Sequence, residues 1–308
     1  MIVKKIPLRE GRKDVTLTTY VLDDSWELLN GKRRPAVLIC PGGGYLYCSD
    51  REAEPVALRF AAMGYHAFVL RYSVYYKGEG FPAYAEELKP RPETAHPAPV
   101  QDMGLAMKCI HQHAEEWLVD TDRIAICGFS GGSHNCAMYS VYWNKPLITD
   151  FIGVEEGLPP AAVILGYGVS DNKTLEIDLP VISFPDLLDA YTIALFGEKN
   201  PDVEKQRTLS PSLLVDEHVP PTFLWATTGD ETVPVIQTVS MAESLVRKQI
   251  PIEMHIFEDG SHGLALATQA TATALSTIVP AVSVWLDMAD RWLQKRFLLP
   301  LPALTEWE

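Results

Sequence analysis

The sequence predicts an α/β protein: a mostly parallel central sheet of about eight strands, helices on both faces, and an antiparallel edge at the N-terminus. Three observations carry this expectation. Short apolar runs alternate with stretches of helical periodicity along most of the chain. The first two strand-like runs have no helix between them. Finally, an apolar run delivers a glycine-flanked serine, Gly128-Phe129-Ser130-Gly131-Gly132, directly into a helix pattern.

Taken in order, Ile2-Val3 and the run at 15–22 predict an edge hairpin. Residues 36–40 form an apolar strand, and Ser49 with Glu52 has the spacing of a capping box that opens a helix to about Met63. The next strand spans 66–72. Val100, Met103, Met107, Ile110, Ala114 and Trp117 recur every three or four residues and mark one apolar helix face. The strand at 123–127, the serine turn and a helix at 133–142 follow. Strands are expected at 163–165 and 222–226, and a helix carries Val235, Val239, Ala242, Leu245 and Val246. Ile252, Met254 and Ile256 alternate with Glu253 and His255, as in a half-buried strand near the sheet edge. The last helix, 282–295, carries Trp285, Met288, Trp292 and Leu293.

Two segments break the alternation. Residues 75–99, rich in proline and containing Gly78 and Gly80, read as a long ordered loop. Residues 168–221 are too long for a simple crossover, and Phe184, Leu187, Leu188, Tyr191, Ile193, Leu195 and Phe196 have helical spacing within them. Such an excursion is expected to form a cap over a pocket. No repeat or linker divides the chain, so one domain over residues 1–308 is expected.

The 308 residues are 47% hydrophobic, ample for a core. Lys and Arg number 26 against 40 Asp and Glu, a formal charge of -14. That balance argues against nucleic acid or an anionic membrane surface as partner. It leaves a neutral small molecule as ligand and leaves homo-oligomerisation open. The first residues lack the apolar core of a signal peptide, and no segment approaches the roughly 20 apolar residues of a membrane span. The five cysteines are odd in number, lack metal-ligand spacing, and several lie in apolar runs. A cytoplasmic protein with reduced thiols, no metal and no cofactor is expected.

A glycine on each side of a serine at a strand-to-helix junction permits a turn that pushes the hydroxyl out over the sheet. The hydroxyl becomes a nucleophile only beside an imidazole, and the imidazole needs a carboxylate to orient it. His262 fits, because it sits in the turn Glu258-Asp259-Gly260-Ser261-His262-Gly263 after a strand. His66 and His255 lie in strands, His111 and His113 in a helix, His96 in the proline-rich loop and His218 before a strand. Asp230, on the turn after the 222–226 strand, is the first choice of carboxylate, with Glu231 its rival and helix capping the other use for Asp230. The glycines of Pro41-Gly42-Gly43-Gly44-Tyr45 can present N–H groups to an oxyanion, with Gly131 adding the amide after the serine. A phosphate-binding glycine loop would need a lysine and spacing that are missing here.

These motifs, together with Glu52-Ala53-Glu54-Pro55-Val56-Ala57, Phe68-Val69-Leu70-Arg71-Tyr72, Asp122-Arg123-Ile124-Ala125, His134, Pro220-Pro221-Thr222-Phe223-Leu224-Trp225, Val233-Pro234 and Ser261-His262-Gly263-Leu264, span nearly the whole chain. In them the sequence resembles α/β-hydrolase-fold carboxylesterases related to acetyl xylan esterases, a bacterial group that includes endoxylanase- and lipase-like esterases. The resemblance implies the α/β-hydrolase fold, Ser130 as nucleophile, His262 as base and acid, Asp230 as its orienter, and Gly43, Gly44 and Gly131 as oxyanion donors. It departs from the pattern at Pro41, where relatives often carry histidine, and at Gly131, where alanine is frequent. The implied reaction is deacylation of small esters, acetylated sugars or xylo-oligosaccharides among them, with Tyr45, Tyr167 and Trp225 as expected pocket liners. A serine peptidase of the same fold and an inert binding protein are the alternatives.

Overall fold

The computed structural model describes residues 1–77, 88–175 and 185–299. Gly78, Gly80 and Phe184 therefore lie outside the described residues, as does the middle of the proline-rich segment. The N-terminal hairpin pairs β1 (Lys5–Arg9) with β2 (Arg12–Tyr20). Next come β3 (Arg34–Cys40), α1 (Glu54–Ala62), β4 (His66–Arg71), α2 (Ala98–Gln112) and α3 (Ala114–Trp117). Then follow β5 (Val119–Phe129), α4 (Gly131–Tyr142), α5 (Pro146–Ile152), β6 (Ala162–Gly166), α6 (Pro185–Phe196) and α7 (Val203–Thr208). The chain continues through β7 (Thr222–Thr227), α8 (Ile236–Arg247), β8 (Ile252–Phe257), α9 (Pro280–Ser283) and α10 (Trp285–Phe297).

Among the described residues the strands form an eight-stranded sheet in the order β1-β2-β4-β3-β5-β6-β7-β8. Only the two pairings at the N-terminal edge, β1 with β2 and β2 with β4, are antiparallel. From β4 through β8 every neighbour is parallel. Parallel strands are buried on both faces, so successive side chains must serve two cores. Ala36, Leu38 and Cys40 of β3 pack with α2 and α4 through Met103, Ile110 and Tyr139. Val37 and Ile39 pack on the other face with α1 and α10 through Phe60, Trp285 and Trp292. Fully burying a side chain of this kind is worth roughly 1.5–3 kcal/mol, which is why these runs are continuous.

The sequence reading is corrected at several elements. The helix expected over residues 100–117 breaks at His113 into α2 and α3, and the last helix divides into α9 and α10. Ser49 makes no capping hydrogen bond; Asp50–Glu52 is a 3-10 turn, and α1 starts only at Glu54, followed by Pro55. In β8 the alternation is real, but of its apolar face only Ile252 packs against the core, Met254 and Ile256 being 37% and 41% exposed. The other face turns toward α10, with His255 against Phe223 and Glu253 paired with Lys295. Among the described residues no helix is long and apolar enough to cross a membrane.

Register aligns the carboxyl ends of the central strands, Cys40 beside Gly128, Phe129 beside Gly166 and Gly166 beside Trp225. Every loop singled out for chemistry leaves this edge, where open α/β sheets place their ligand crevice.

Candidate active site

β5 ends at Phe129 and α4 begins at Gly131, so one residue must turn the chain. Ser130 does so at φ 49° and ψ -122°, a conformation that costs an L-residue of order 1–3 kcal/mol. The flanking glycines let it persist. A Cβ at Gly132 would lie 2.1 Å from the Cys40 carbonyl oxygen, and one at Gly128 would lie 2.3 Å from that of Gly132. Neither position has room for a methyl group.

The structure brings the three candidate side chains together. Ser130 Oγ lies 2.8 Å from His262 Nε2. His262 Nδ1 lies 2.7 Å from Asp230 Oδ2. An ionised carboxylate only accepts, so Nδ1 carries the proton and Nε2 is left to accept from the serine O–H. Asp230 Oδ1 accepts the Thr232 and Val233 N–H groups at 2.9 Å each, which fixes its plane. One oxygen thus holds the turn and the other faces the imidazole, while the helix that follows, α8, begins at Ile236 without a side-chain cap, so Asp230 does not cap it. The Asp230 side chain is 1% exposed, so water competes little for its bond to the imidazole. Glu231 is exposed and lines the adjoining cavity.

The glycine loop follows β3. Gly43, Gly44 and Tyr45 all take positive φ, at 123°, 59° and 60°. Gly131 sits directly beneath it, where an added Cβ would be 3.0 Å from the Gly44 nitrogen. Gly43, Gly44, Gly131, Ser130 and His262 together line one cavity of about 440 Å³. Leu187, Leu188 and Tyr191 of α6, with Val169 and Leu175, form part of its apolar wall. The long excursion after β6 thus contributes directly to the cavity.

Tyr45, Tyr167 and Trp225 do not line it. They are only 1%, 2% and 0% exposed, and each is committed to packing beneath the site. Tyr45 donates its hydroxyl to His134 Nδ1 at 2.6 Å, while His134 Nε2 contacts the Leu209 carbonyl at 2.7 Å. Burial lowers the His134 pKa to about 4, so the ring is neutral near pH 7 and Nδ1 can accept. Tyr167 is buried against Trp225 and His262, with its ring edge-on to the imidazole at 5.1 Å. Burial, and then the nearby Glu52 carboxyl, push the Tyr167 pKa well above the ordinary phenol value. Trp225 stacks on Trp285 at 4.9 Å.

Sequence reasoning missed Arg51 and Glu52, which line the cavity beside Ser130 and His262. Glu52 opens the Glu-Ala-Glu-Pro motif, but the capping-box spacing gave it a local role it does not play, and nothing in the sequence pattern pointed to Arg51.

The sequence pattern of the BD-FAE family matches residues 29–245. Endo-1,4-beta-xylanase B of Butyrivibrio fibrisolvens is 30% identical over 240 residues, 76% of this chain but 33% of that protein. The chain spans between a third and a half of the length of the curated relatives it matches. Among solved structures, carboxylesterase Cest-2923 from Lactobacillus plantarum WCFS1 is 29% identical, with a TM-score of 0.78, over 98% of this chain and 100% of that one. An acetyl ester-xyloside bifunctional hydrolase from Caldicellulosiruptor lactoaceticus is 28% identical, with a TM-score of 0.73, over 95% and 96% of the two chains. The architecture is that of α/β hydrolases.

Proposed function

The chain belongs to the BD-FAE family, and from that premise we propose that it is a serine carboxylesterase acting on small acyl esters, acetylated sugars or xylo-oligosaccharides among them. The observation that carries the reading is the continuous chain Ser130 Oγ to His262 Nε2 at 2.8 Å and His262 Nδ1 to Asp230 Oδ2 at 2.7 Å. Ser130 attacks the ester carbonyl as His262 takes its proton. The imidazolium forms against the Asp230 carboxylate, which stabilises the cation without taking the proton.

The tetrahedral oxyanion is met by the Gly131 N–H and by those of Gly43 and Gly44. Losing one donor of this type costs about 2.7–4 kcal/mol. His262 then returns the proton to the departing alcohol, leaving an acyl-enzyme. Water, deprotonated by the same imidazole, releases the acid and restores Ser130.

The cavity supports an ester of a hydroxylated alcohol. Its apolar wall suits an acyl group, and Ser49, Arg51, Glu231 and Thr232 offer polar partners to the alcohol part. The resemblance to an acetyl ester-xyloside hydrolase supports acetylated xylosides as substrates. The xylanase name belongs to a protein of which this chain covers 33%. Glycoside cleavage, which as a rule uses two positioned carboxyl groups, is not carried over from it. We read the α6 region as a cap on the acyl side.

The reading predicts turnover of 4-nitrophenyl acetate and acetate release from acetylated xylo-oligosaccharides, measured alongside aminoacyl 4-nitroanilides. Faster cleavage of the anilides would make the protein a peptidase. Inertness toward every ester offered would refute the assignment.

A further inference from the structure

Glu52 is a buried carboxyl group for which the reaction just described has no step. It is 2% exposed and lies in the 3-10 turn Asp50–Glu52. Both of its oxygens are engaged. Oε2 accepts the Gly42 N–H at 2.8 Å, and Oε1 accepts the Tyr167 O–H at 2.7 Å. The Tyr167 oxygen in turn accepts the Ala265 N–H at 3.0 Å. Arg51, the preceding residue, donates to the Gly263 carbonyl at 2.6 Å. One short turn therefore holds two loops: Gly42 immediately precedes Gly43 and Gly44, while Gly263 and Ala265 follow His262 closely. There is little slack, since a Cβ on Gly42 would be 2.8 Å from both Glu52 Oε2 and Ser130 Cβ.

A buried carboxyl is costly unless donors satisfy it. Here the donors come from different loops, so satisfying the carboxyl also sets the distance between those loops. We infer that Glu52, acting with Tyr167, is a positioning residue for the proposed ester hydrolysis. It keeps the oxyanion N–H groups and the His262 imidazole in register with Ser130. The inference rests on the serine-esterase reading above. Displacement of a reacting group by about 1 Å can cost about a hundredfold in rate.

The test compares Glu52→Gln, Tyr167→Phe and the double variant on 4-nitrophenyl acetate, with active sites counted by fluorophosphonate labelling. The introduced glutamine keeps one acceptor oxygen for two donors, and the introduced phenylalanine lacks the hydroxyl that reaches Ala265. Each variant is expected to lower kcat about 10- to 100-fold, with KM within about twofold. The double variant should be no slower than the slower single one, because both cut the same strut. A merely structural role would lower the melting temperature or the number of labelled sites while leaving kcat per site unchanged.

An unchanged kcat per site would overturn the inference, as would losses that multiply in the double variant. A rise in KM at constant kcat would do the same and make Glu52 a substrate contact. If Glu52→Gln does not fold, Tyr167→Phe, which is nearly isosteric, decides alone. The two readings fail separately. Retained turnover in Ser130→Ala sinks the esterase mechanism, whereas an inactive Ser130→Ala beside fully active Glu52→Gln and Tyr167→Phe sinks only the strut.

Discussion

Replacing Ser130 by alanine is expected to lower kcat on 4-nitrophenyl acetate by about six orders of magnitude, to a residue left by binding and the oxyanion donors alone. The fold should barely register the change. Alanine keeps the Cβ, so the strained backbone at φ 49° and ψ -122° is no better or worse accommodated than before. What is lost is one hydrogen bond to His262, worth about 1 kcal/mol. A melting temperature within a few degrees of the parent, recorded on the same preparation as the rate, separates lost chemistry from lost structure. Ester turnover near the parent rate would remove Ser130 from the mechanism.

Asp230→Asn should cost about 10⁴-fold in kcat, while Glu231→Gln stays within a few-fold of the parent. The amide oxygen of the introduced asparagine can still accept from Thr232 and Val233, since those bonds use Oδ1. Its NH₂ group would then face His262 Nδ1, which lies 2.7 Å from the present Oδ2. A donor there favours the tautomer with its proton on Nε2, the nitrogen that must accept from Ser130. The imidazole would be in place but in the wrong protonation pattern. Glu231 lines the cavity and is exposed, so its loss should act on KM if it acts at all. If Glu231→Gln showed the large loss and Asp230→Asn did not, the acid would be reassigned.

The sequence made these residues legible because each is announced locally. Ser130, Asp230 and His262 each follow an apolar run within a few residues, and glycine marks each turn. Strand order needs no alignment of distant residues either, since alternating β and α patterns restrict the topology to few choices. What escaped depends on which surfaces meet in three dimensions. Ser49 and Glu52 have capping-box spacing whether Glu52 bends back to its helix or reaches Gly42 ten residues away. Only the placement of β3 beside the turn decides in favour of Gly42. Tyr45, Tyr167 and Trp225 do sit near the carboxyl ends of strands, but sequence position cannot say that they pack beneath the cavity. The alternation in β8 likewise defines two faces without saying which one α10 covers. Here Glu253, paired with Lys295, and His255, packed against Phe223, take the covered side, and Met254 and Ile256 are left outside.

The glycine loop shows both sides of this limit. Its composition announces backbone approach to a ligand, and Gly43 and Gly44 do line the cavity. The support beneath it comes from Tyr45 and His134, 89 residues apart in sequence. His134 was visible only as part of a family pattern, with no hint that its neutral ring would accept a hydrogen bond from the tyrosine hydroxyl.

Attachment of a fluorophosphonate, read by intact mass and peptide mapping, probes the arrangement of residues 130, 230 and 262 most directly. The account requires one phosphonyl group per native chain, carried on Ser130 and absent after heat denaturation. No incorporation into folded protein, or incorporation on a different side chain, would contradict it.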